Sequence, residues 1–517
     1  MSLSESHQVI IIIIASVSLI LSLLAQRSKR YTPALLFLLA ASLGIFLLAS
    51  LLDPFLNLWD ERFHALVAKN LLHHPLMPTL YDDPVVQMAY DRWDRTVIWL
   101  HKQPLFLWQI ALSFRLFGVN EFALRLPSVL MSTGLVYFAY RIGLLVINQR
   151  TGYIAGLLTA TSYHLIELVS GRTEVDHNDV AFLFYVTASI WAWTEYISTK
   201  KKYWILLVGL FAGFGVLCKW MVGLLVYSGW GLYNLMVYRV QIKKYAPILT
   251  AFGITVLIVM PWQILIYSWY PAEAQDAMQY NLLHFTKALE GHSGTPGYYF
   301  EHFGDLFGKA TLYLIFPSII VFLVNVKDKP YGKALFFMPL VVYLFFSIAA
   351  TKMPSYPFVI AVLIYLLTAS GIAKGLEYIQ RLYLPVWISG LISILLLAAV
   401  IHLNLQPAKI IDTHILDSSV KSYRQIQSRN KKIFKELKDL LPAETVIFNV
   451  KGRHYVECMF YTGFPSYSFL PTEEQVIELL SKGKAIAVFP EQNEVLPLYL
   501  TSNRAVSLIP EYLQGWE

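Results

Sequence analysis

Charge is what this sequence has least of: Asp, Glu, Lys and Arg together supply 15% of its 517 residues, against 56% apolar. A soluble domain of ordinary composition carries about a quarter charged residues. A cytosolic enzyme, a secreted disulfide scaffold and a disordered chain are therefore excluded, and a mean hydropathy of +0.52 places the chain in a membrane. Cysteine is nearly absent, and Cys218, ending an apolar run, and Cys458, in a polar tail, read as free thiols rather than a bridge. Phosphate-binding P-loops and Gly-rich dinucleotide signatures are missing, so no nucleotide is expected. Internal repeats and low-complexity segments are missing too. The formal net charge is +7, but the Lys and Arg fall in short clusters between apolar runs. That is the positive-inside pattern of membrane proteins, and it excludes nucleic acid as a partner.

A helical span needs about 20 apolar residues. About twelve segments qualify or nearly so: 9–25, 33–52, 123–147, 152–170, 179–197, 203–218, 221–238, 246–266, 306–325, 334–350, 355–373 and 384–402. The first lacks a preceding basic residue and a small-residue cleavage site, so it is read as a retained helix. Basic clusters fall after every second span: Arg27, Lys29 and Arg30; Arg141 and Arg150; Lys200, Lys201 and Lys202; Arg239, Lys243 and Lys244; Lys327, Lys329 and Lys333; Lys374 and Arg381. All six loops go inside, which leaves both termini outside. The division expected is a transmembrane domain over 1–402, with long outer loops at 53–122 and 267–305, and a soluble outer α/β domain over 403–517. Residues 105–117 are too short to span and carry Arg115, which predicts an interfacial helix. In the tail, 445–450 and 485–489 read as strands, 473–481 as a helix and 418–441 as a linking helix.

The middles of the apolar segments are almost free of ionisable residues. Those outside the inner loops sit at outer helix ends: Asp60 and Glu61, Lys102, Glu121 and Arg125, 172–179, Lys219, His284, Lys287 and Lys352. A transporter or flippase places such groups at mid-membrane and shows paired halves and broken helices. Outer-end placement points instead to a site at the outer leaflet, open sideways to a lipid head group. Asp60 has two readings: it caps the helix that follows, or it positions or deprotonates an acceptor hydroxyl. Lys102, Lys219 and Lys352 either snorkel to lipid phosphates or neutralise the phosphate of a lipid-linked donor. The run Gly171 to Asp179 reads as a solvated loop or, as the weaker alternative, a divalent-cation site, since no ligand spacing there is a known one. His284 and His292 are weak as metal ligands. Tyr455, Tyr461 and Tyr467 in the tail read as packing.

These pieces resemble the C-type membrane glycosyltransferases that take sugars from polyprenyl phosphates, in the branch of the lipid A aminoarabinose transferases and protein O-mannosyltransferases. Asp60-Glu61 matches the Asp-Glu pair of the family's first loop, and Lys102 with Pro104, Leu105 and Trp108 resembles its Lys-Pro-Pro-Leu stretch. Phe117 to Ser128 is the most specific match. Asp179, ahead of Phe182 and Phe184, resembles the second-loop aspartate, with Asp176 a competitor, and Lys219 and Lys352 to Tyr356 resemble later lysine positions. His64 stands where the family often has Tyr, Gln103 replaces a Pro, Lys287 replaces an Arg, and 78–100 is longer than the family pattern.

The resemblance implies an all-α polytopic fold, interfacial helices and inverting transfer of a sugar. Asp60, Glu61, Asp179 and Asp176 are then the catalytic carboxylates. Lys102, Lys219, Lys287, Lys352 and Tyr356 hold the donor phosphate, and His64, Arg172 and His284 line the substrate. It implies a polyprenyl-phosphate-linked donor, a lipid or protein acceptor and the bacterial inner membrane; no cofactor is expected, with a divalent metal as the weaker alternative, and the chain is expected to be a monomer. The alternatives are protein O-mannosylation, a lipid or sugar transporter, and a structural membrane protein whose tail binds an envelope partner.

Overall fold

The structure is a computed structural model describing residues 5–87, 92–173, 176–417, 422–490 and 495–515. All twelve apolar segments are helical over most of their length. Among the described residues, nine stretches are long and apolar enough to cross a membrane, fewer than the expected twelve for three reasons. The 152–170 segment is broken into helices Gln149–Ala160 and Tyr163–Ser170, because Ser162 turns extended and caps the second helix by accepting from the Leu165 N–H. The 306–325 segment gives Lys309–Asn325, only 17 residues. The continuous stretch Tyr203–Tyr238 holds two of the expected segments. Its helices Tyr203–Lys219 and Leu225–Tyr238 are separated at Trp220, where φ is +59°. There the chain doubles back, and a Cβ on Gly223 would lie 2.5 Å from the Val216 nitrogen.

The chain divides into two compact units. The first comprises Met1–Leu51, Lys102–Phe106 and Arg125–Ile410, and carries the membrane helices. Within it Arg125, fully buried, donates to the Ser50 carbonyl at 3.1 Å and so closes the end of helix Tyr31–Leu51. Ser128 and His177 hydrogen-bond at 2.9 Å. The second long loop forms helices Pro271–Thr286, Tyr298–Glu301 and Phe303–Phe307. Thr351 N–H donates to His284 O, Ala350 N–H to Phe285 O and Lys352 N–H to His292 O, so this loop is stitched to residues 350–352 by its backbone.

The second unit comprises Leu52–His101, Leu107–Leu124 and Ile411–Glu517, so the first long loop folds with the tail. Helix Leu105–Phe117 ends at Gly118, whose φ of +79° turns the chain, and Asn120 caps the next helix by accepting from the Ala123 N–H at 2.9 Å. In the tail, helix Tyr423–Leu440 buries Ile426, Asn430, Ile433, Phe434 and Leu437, a helical-period stripe. Strands β1 (Thr445–Phe448), β2 (Ala485–Val488) and β3 (Val506–Leu508) form a parallel sheet in that order, with Thr445 opposite Ala485 and Ile486 opposite Val506. Helix Glu473–Ser481 starts with a capping box of Thr472 and Gln475. Cys218 and Cys458 are free and buried, as expected.

Candidate functional site

Helices Asp176–Thr199 and Tyr203–Lys219 form a hairpin in the first unit, and their far ends carry Asp179 and Lys219. Asp179 lies in a helix first turn, where the N-terminal dipole favours a carboxylate. Lys219 Nζ lies 2.5 Å from Asp179 Oδ1. The same ammonium stands 5.1 Å from the ring centre of Tyr356, within cation–π reach. An anion, a cation and an aromatic ring thus meet where the chain reverses.

Further predicted residues belong to the same unit. The His284 imidazole is pushed down to about 4, first by burial and then by Lys102, with Lys219 adding to it. It is therefore a neutral ring beside two ammonium groups. Gln103 accepts from Gln263 Nε2 at 3.1 Å and so ties the Lys102 segment to helix Ala246–Trp269. Lys287 is exposed, while Arg172 is half-buried just after Gly171, the left-handed end of helix Tyr163–Ser170. Asp176 opens its helix, and its side chain lies outside the described residues, as do Glu174 and Val175.

Lys352 is placed differently from the others. Its Nζ donates to the carbonyls of Phe346, Ser347 and Ala349 at 2.9, 2.7 and 2.6 Å, and the residue is 4% exposed. An ammonium has three N–H groups, and these contacts use all three to cap helix Pro330–Ile348. Burial lowers its pKa.

The second unit holds the other predicted carboxylates. Asp60 begins helix Asp60–Asn70 and does not cap it: the cap position is Trp59, whose side chain makes no capping bond. The capping reading of Asp60 is thereby corrected. Glu61, fully buried, reaches back instead and accepts from the Asn57 N–H at 2.6 Å. Asp60 is 8% exposed, and the buried His64 places Nε2 3.9 Å from its Oδ2 and packs edge-on against Trp99.

What the sequence missed is how the tail grips this loop. Tyr423 donates to Asn57 Oδ1 and accepts from the Leu58 N–H, both at 3.0 Å. Tyr461 accepts from Leu56 N–H at 3.1 Å and donates to Glu121 at 2.7 Å. Tyr455 donates to the Asp94 carbonyl, and Tyr467 accepts from Val85 and Val86. Burial raises the pKa of Tyr455, Tyr461 and Tyr467, so these hydroxyls stay protonated. Lys69 donates to the Met459 and Phe460 carbonyls, and burial, then Lys438, brings its pKa down to about 8. No spacing in the sequence announces such pairs.

Residues 101–265 match the family model described as dolichyl-phosphate-mannose-protein mannosyltransferase. In structure, the chain is similar to ArnT from Cupriavidus metallidurans bound to undecaprenyl phosphate, with a TM-score of 0.60 over 92% of this chain and 89% of that one at 14% identity. The fold is that of the C-type glycosyltransferases. Within this C-type fold, the chain is also similar to the archaeal oligosaccharyltransferase AglB from Archaeoglobus fulgidus, with a TM-score of 0.60, 10% identity and 84% and 64% of the two chains covered. In sequence, undecaprenyl phosphate-alpha-4-amino-4-deoxy-L-arabinose arabinosyl transferase 2 of Pseudomonas fluorescens is 28% identical over 258 residues, 47% of this chain. An uncharacterized protein of Aquifex aeolicus is 25% identical over 199 residues, 37% of this chain. The chain spans 36% of the Aquifex and 42% of the Pseudomonas relative. With nine membrane-crossing stretches among the described residues, the chain is a multi-pass membrane protein. Among its described residues, no group of three or more His, Cys, Asp or Glu is arranged to hold a metal ion.

Proposed function

We propose that the protein is a glycosyltransferase of the bacterial inner membrane that moves a sugar from undecaprenyl phosphate to an envelope acceptor on the periplasmic side. The observation that carries this reading is Lys219 between Asp179 and Tyr356: a cation fixed at a helix break, in the 101–265 stretch that matches the mannosyltransferase model. The acceptor oxygen attacks the anomeric carbon, the bond from that carbon to the phosphate oxygen breaks, and polyprenyl phosphate leaves with the electron pair. The sugar's configuration inverts. Lys102, Lys219 and Lys287 stabilise the departing phosphate, with Tyr356 seating Lys219 and the neutral His284 available as a hydrogen-bonding partner for substrate. Arg172 adds a cation on the substrate side. Lys352 acts by holding the turn before Tyr356.

Asp60 is the reacting carboxylate, and Glu61 and His64 set its place. A lipid A phosphate as acceptor is already ionised, and Asp60 then orients it or the sugar. A hydroxyl acceptor must lose its proton, which Asp60 accepts. The mannosyltransferase match favours a protein hydroxyl as the second acceptor class. No resident metal enters either scheme, and the chain acts as a monomer.

The test is mass spectrometry of lipids and of envelope glycoproteins from cells expressing wild type, Asp60→Asn or no protein. A glycan mass present only with wild type names sugar and acceptor. Identical lipid and glycoprotein profiles in all three strains overturn the reading in favour of transport.

A further inference from the structure

The link from β1 to helix His454–Thr462 leaves the sheet at its carboxyl end, the edge where open parallel sheets bind their ligands. Here that edge holds the chain's own first loop. The Gly452 carbonyl accepts from Arg62, and the Arg453 guanidinium lies 5.0 Å from the ring centre of Trp59 and 5.6 Å from that of Trp93, with Nε 3.7 Å from Asp94 Oδ2. Two indole faces and a carboxylate surround one cation.

Trp59 is the residue immediately before Asp60. Its φ is +63° and its ψ −130°, a region that a bulky residue rarely enters and occupies only when its surroundings hold it there. The helix it opens has no side-chain cap to fix its first turn. Tyr423 and Glu61 fix the backbone at Asn57 and Leu58, and Arg453 grips residue 59 itself. Arg453 is in turn set by its own left-handed backbone, φ +57°, at the start of helix His454–Thr462.

We propose that Arg453 is a positioning residue for Asp60: by clamping the Trp59 ring it holds the strained backbone that aims the first turn of helix Asp60–Asn70. This rests on the reading of Asp60 as the reacting carboxylate. The C-terminal domain is then part of the catalytic apparatus without touching substrate, and Arg453 governs turnover rather than donor affinity.

The test uses the full chain in detergent, comparing wild type, Arg453→Met, Arg453→Lys, Trp59→Leu and Asp60→Asn. Hydrogen exchange is followed in the peptides covering 56–66 and β1, and transfer is assayed from undecaprenyl-phosphate-linked aminoarabinose to lipid A. Arg453→Met is expected to raise exchange across 56–66 at least tenfold, on the order of the loss of a local hold, while β1 keeps its wild-type rate. Its turnover is expected to fall roughly ten- to a hundredfold, the range for a misplaced reacting group, with the donor KM unchanged. Arg453→Lys, which keeps a cation over the rings, is expected to recover part of both. If Arg453→Met unfolds β1 as well, Trp59→Leu repeats the measurement from the other side of the contact. Unchanged exchange at 56–66, or wild-type turnover in a protein that Asp60→Asn inactivates, overturns the proposal. If Asp60→Asn transfers sugar normally, it is the reading of Asp60 that fails, and exchange alone then decides whether Arg453 holds the turn.

Discussion

Lys219 and Asp179 close the open end of a helical hairpin: the first lies on the last residue of helix Tyr203–Lys219, the second on the opening turn of helix Asp176–Thr199, with 2.5 Å between Nζ and Oδ1. The basic turn Lys200 to Lys202 lies at the other end. The ammonium is one-quarter exposed and its partner carboxylate 7%. Asp179 thus orients a cation that still reaches solvent.

Replacing Lys219 by Met is expected to weaken donor binding and also to slow turnover at saturation, since the same cation faces the bound and the departing phosphate. A hydrogen bond to a charged group contributes about 1.5–3 kcal/mol, so the donor KM should rise roughly ten- to a hundredfold. Titration of the purified protein with undecaprenyl phosphate checks this, and an unchanged dissociation constant removes Lys219 from the phosphate site.

Lys352→Met should act on stability instead. It leaves the carbonyls of Phe346, Ser347 and Ala349 without their shared donor, at a cost of about 1.5–3 kcal/mol. Thermal unfolding in detergent should shift downward while undecaprenyl phosphate binding is retained. Loss of binding with an unshifted unfolding temperature would return Lys352 to the phosphate.

His284 makes stability depend on pH. Its folded pKa of about 4 lies below the ordinary 6.5, so between these values the unfolded chain binds more protons than the folded one. The contribution is therefore complete above about pH 6.5 and is lost as the pH falls toward 4. His284→Gln, which cannot titrate, should flatten the wild-type slope of unfolding temperature over that window, and parallel curves for the two proteins would refute it.

Asp53→Asn tests the seam between the first loop and the tail. Asp53 and His414 are fully buried, 3.2 Å apart, and Arg424 reaches the same carboxylate at 3.1 Å while also donating to the Leu52 and His414 carbonyls. Removing one member of a buried ionic set costs about 3–5 kcal/mol. Limited proteolysis should then cut the tail of the Asn variant sooner than that of wild type.

Much of the scaffold was readable because it depends on local pattern. Residues 105–117 form the expected short helix, strands appear within 445–450 and 485–489, and the helix at 473–481 starts at its capping box. The linking helix begins at Tyr423, and its expected opening residues 418–421 lie outside those described. Ser162 broke a run whose hydropathy reads as continuous, because a single hydroxyl cap changes backbone direction without changing composition. Pairs such as Tyr461 with Glu121, 340 residues apart, leave no periodicity to detect. Nor does an Asp before a helix reveal that a left-handed Trp59 takes the cap position.

The bond from Lys69 to the Phe460 carbonyl links groups 391 residues apart. At 5–20 residues per second, a ribosome needs roughly 20–80 s between making one partner and the other. Throughout that interval the Asp60 helix has been synthesised but its clamp has not. A nascent chain therefore has the Asp60 helix without the tail surface that packs on it, and on the proposed reading competence for transfer arrives only after residue 460 has been made.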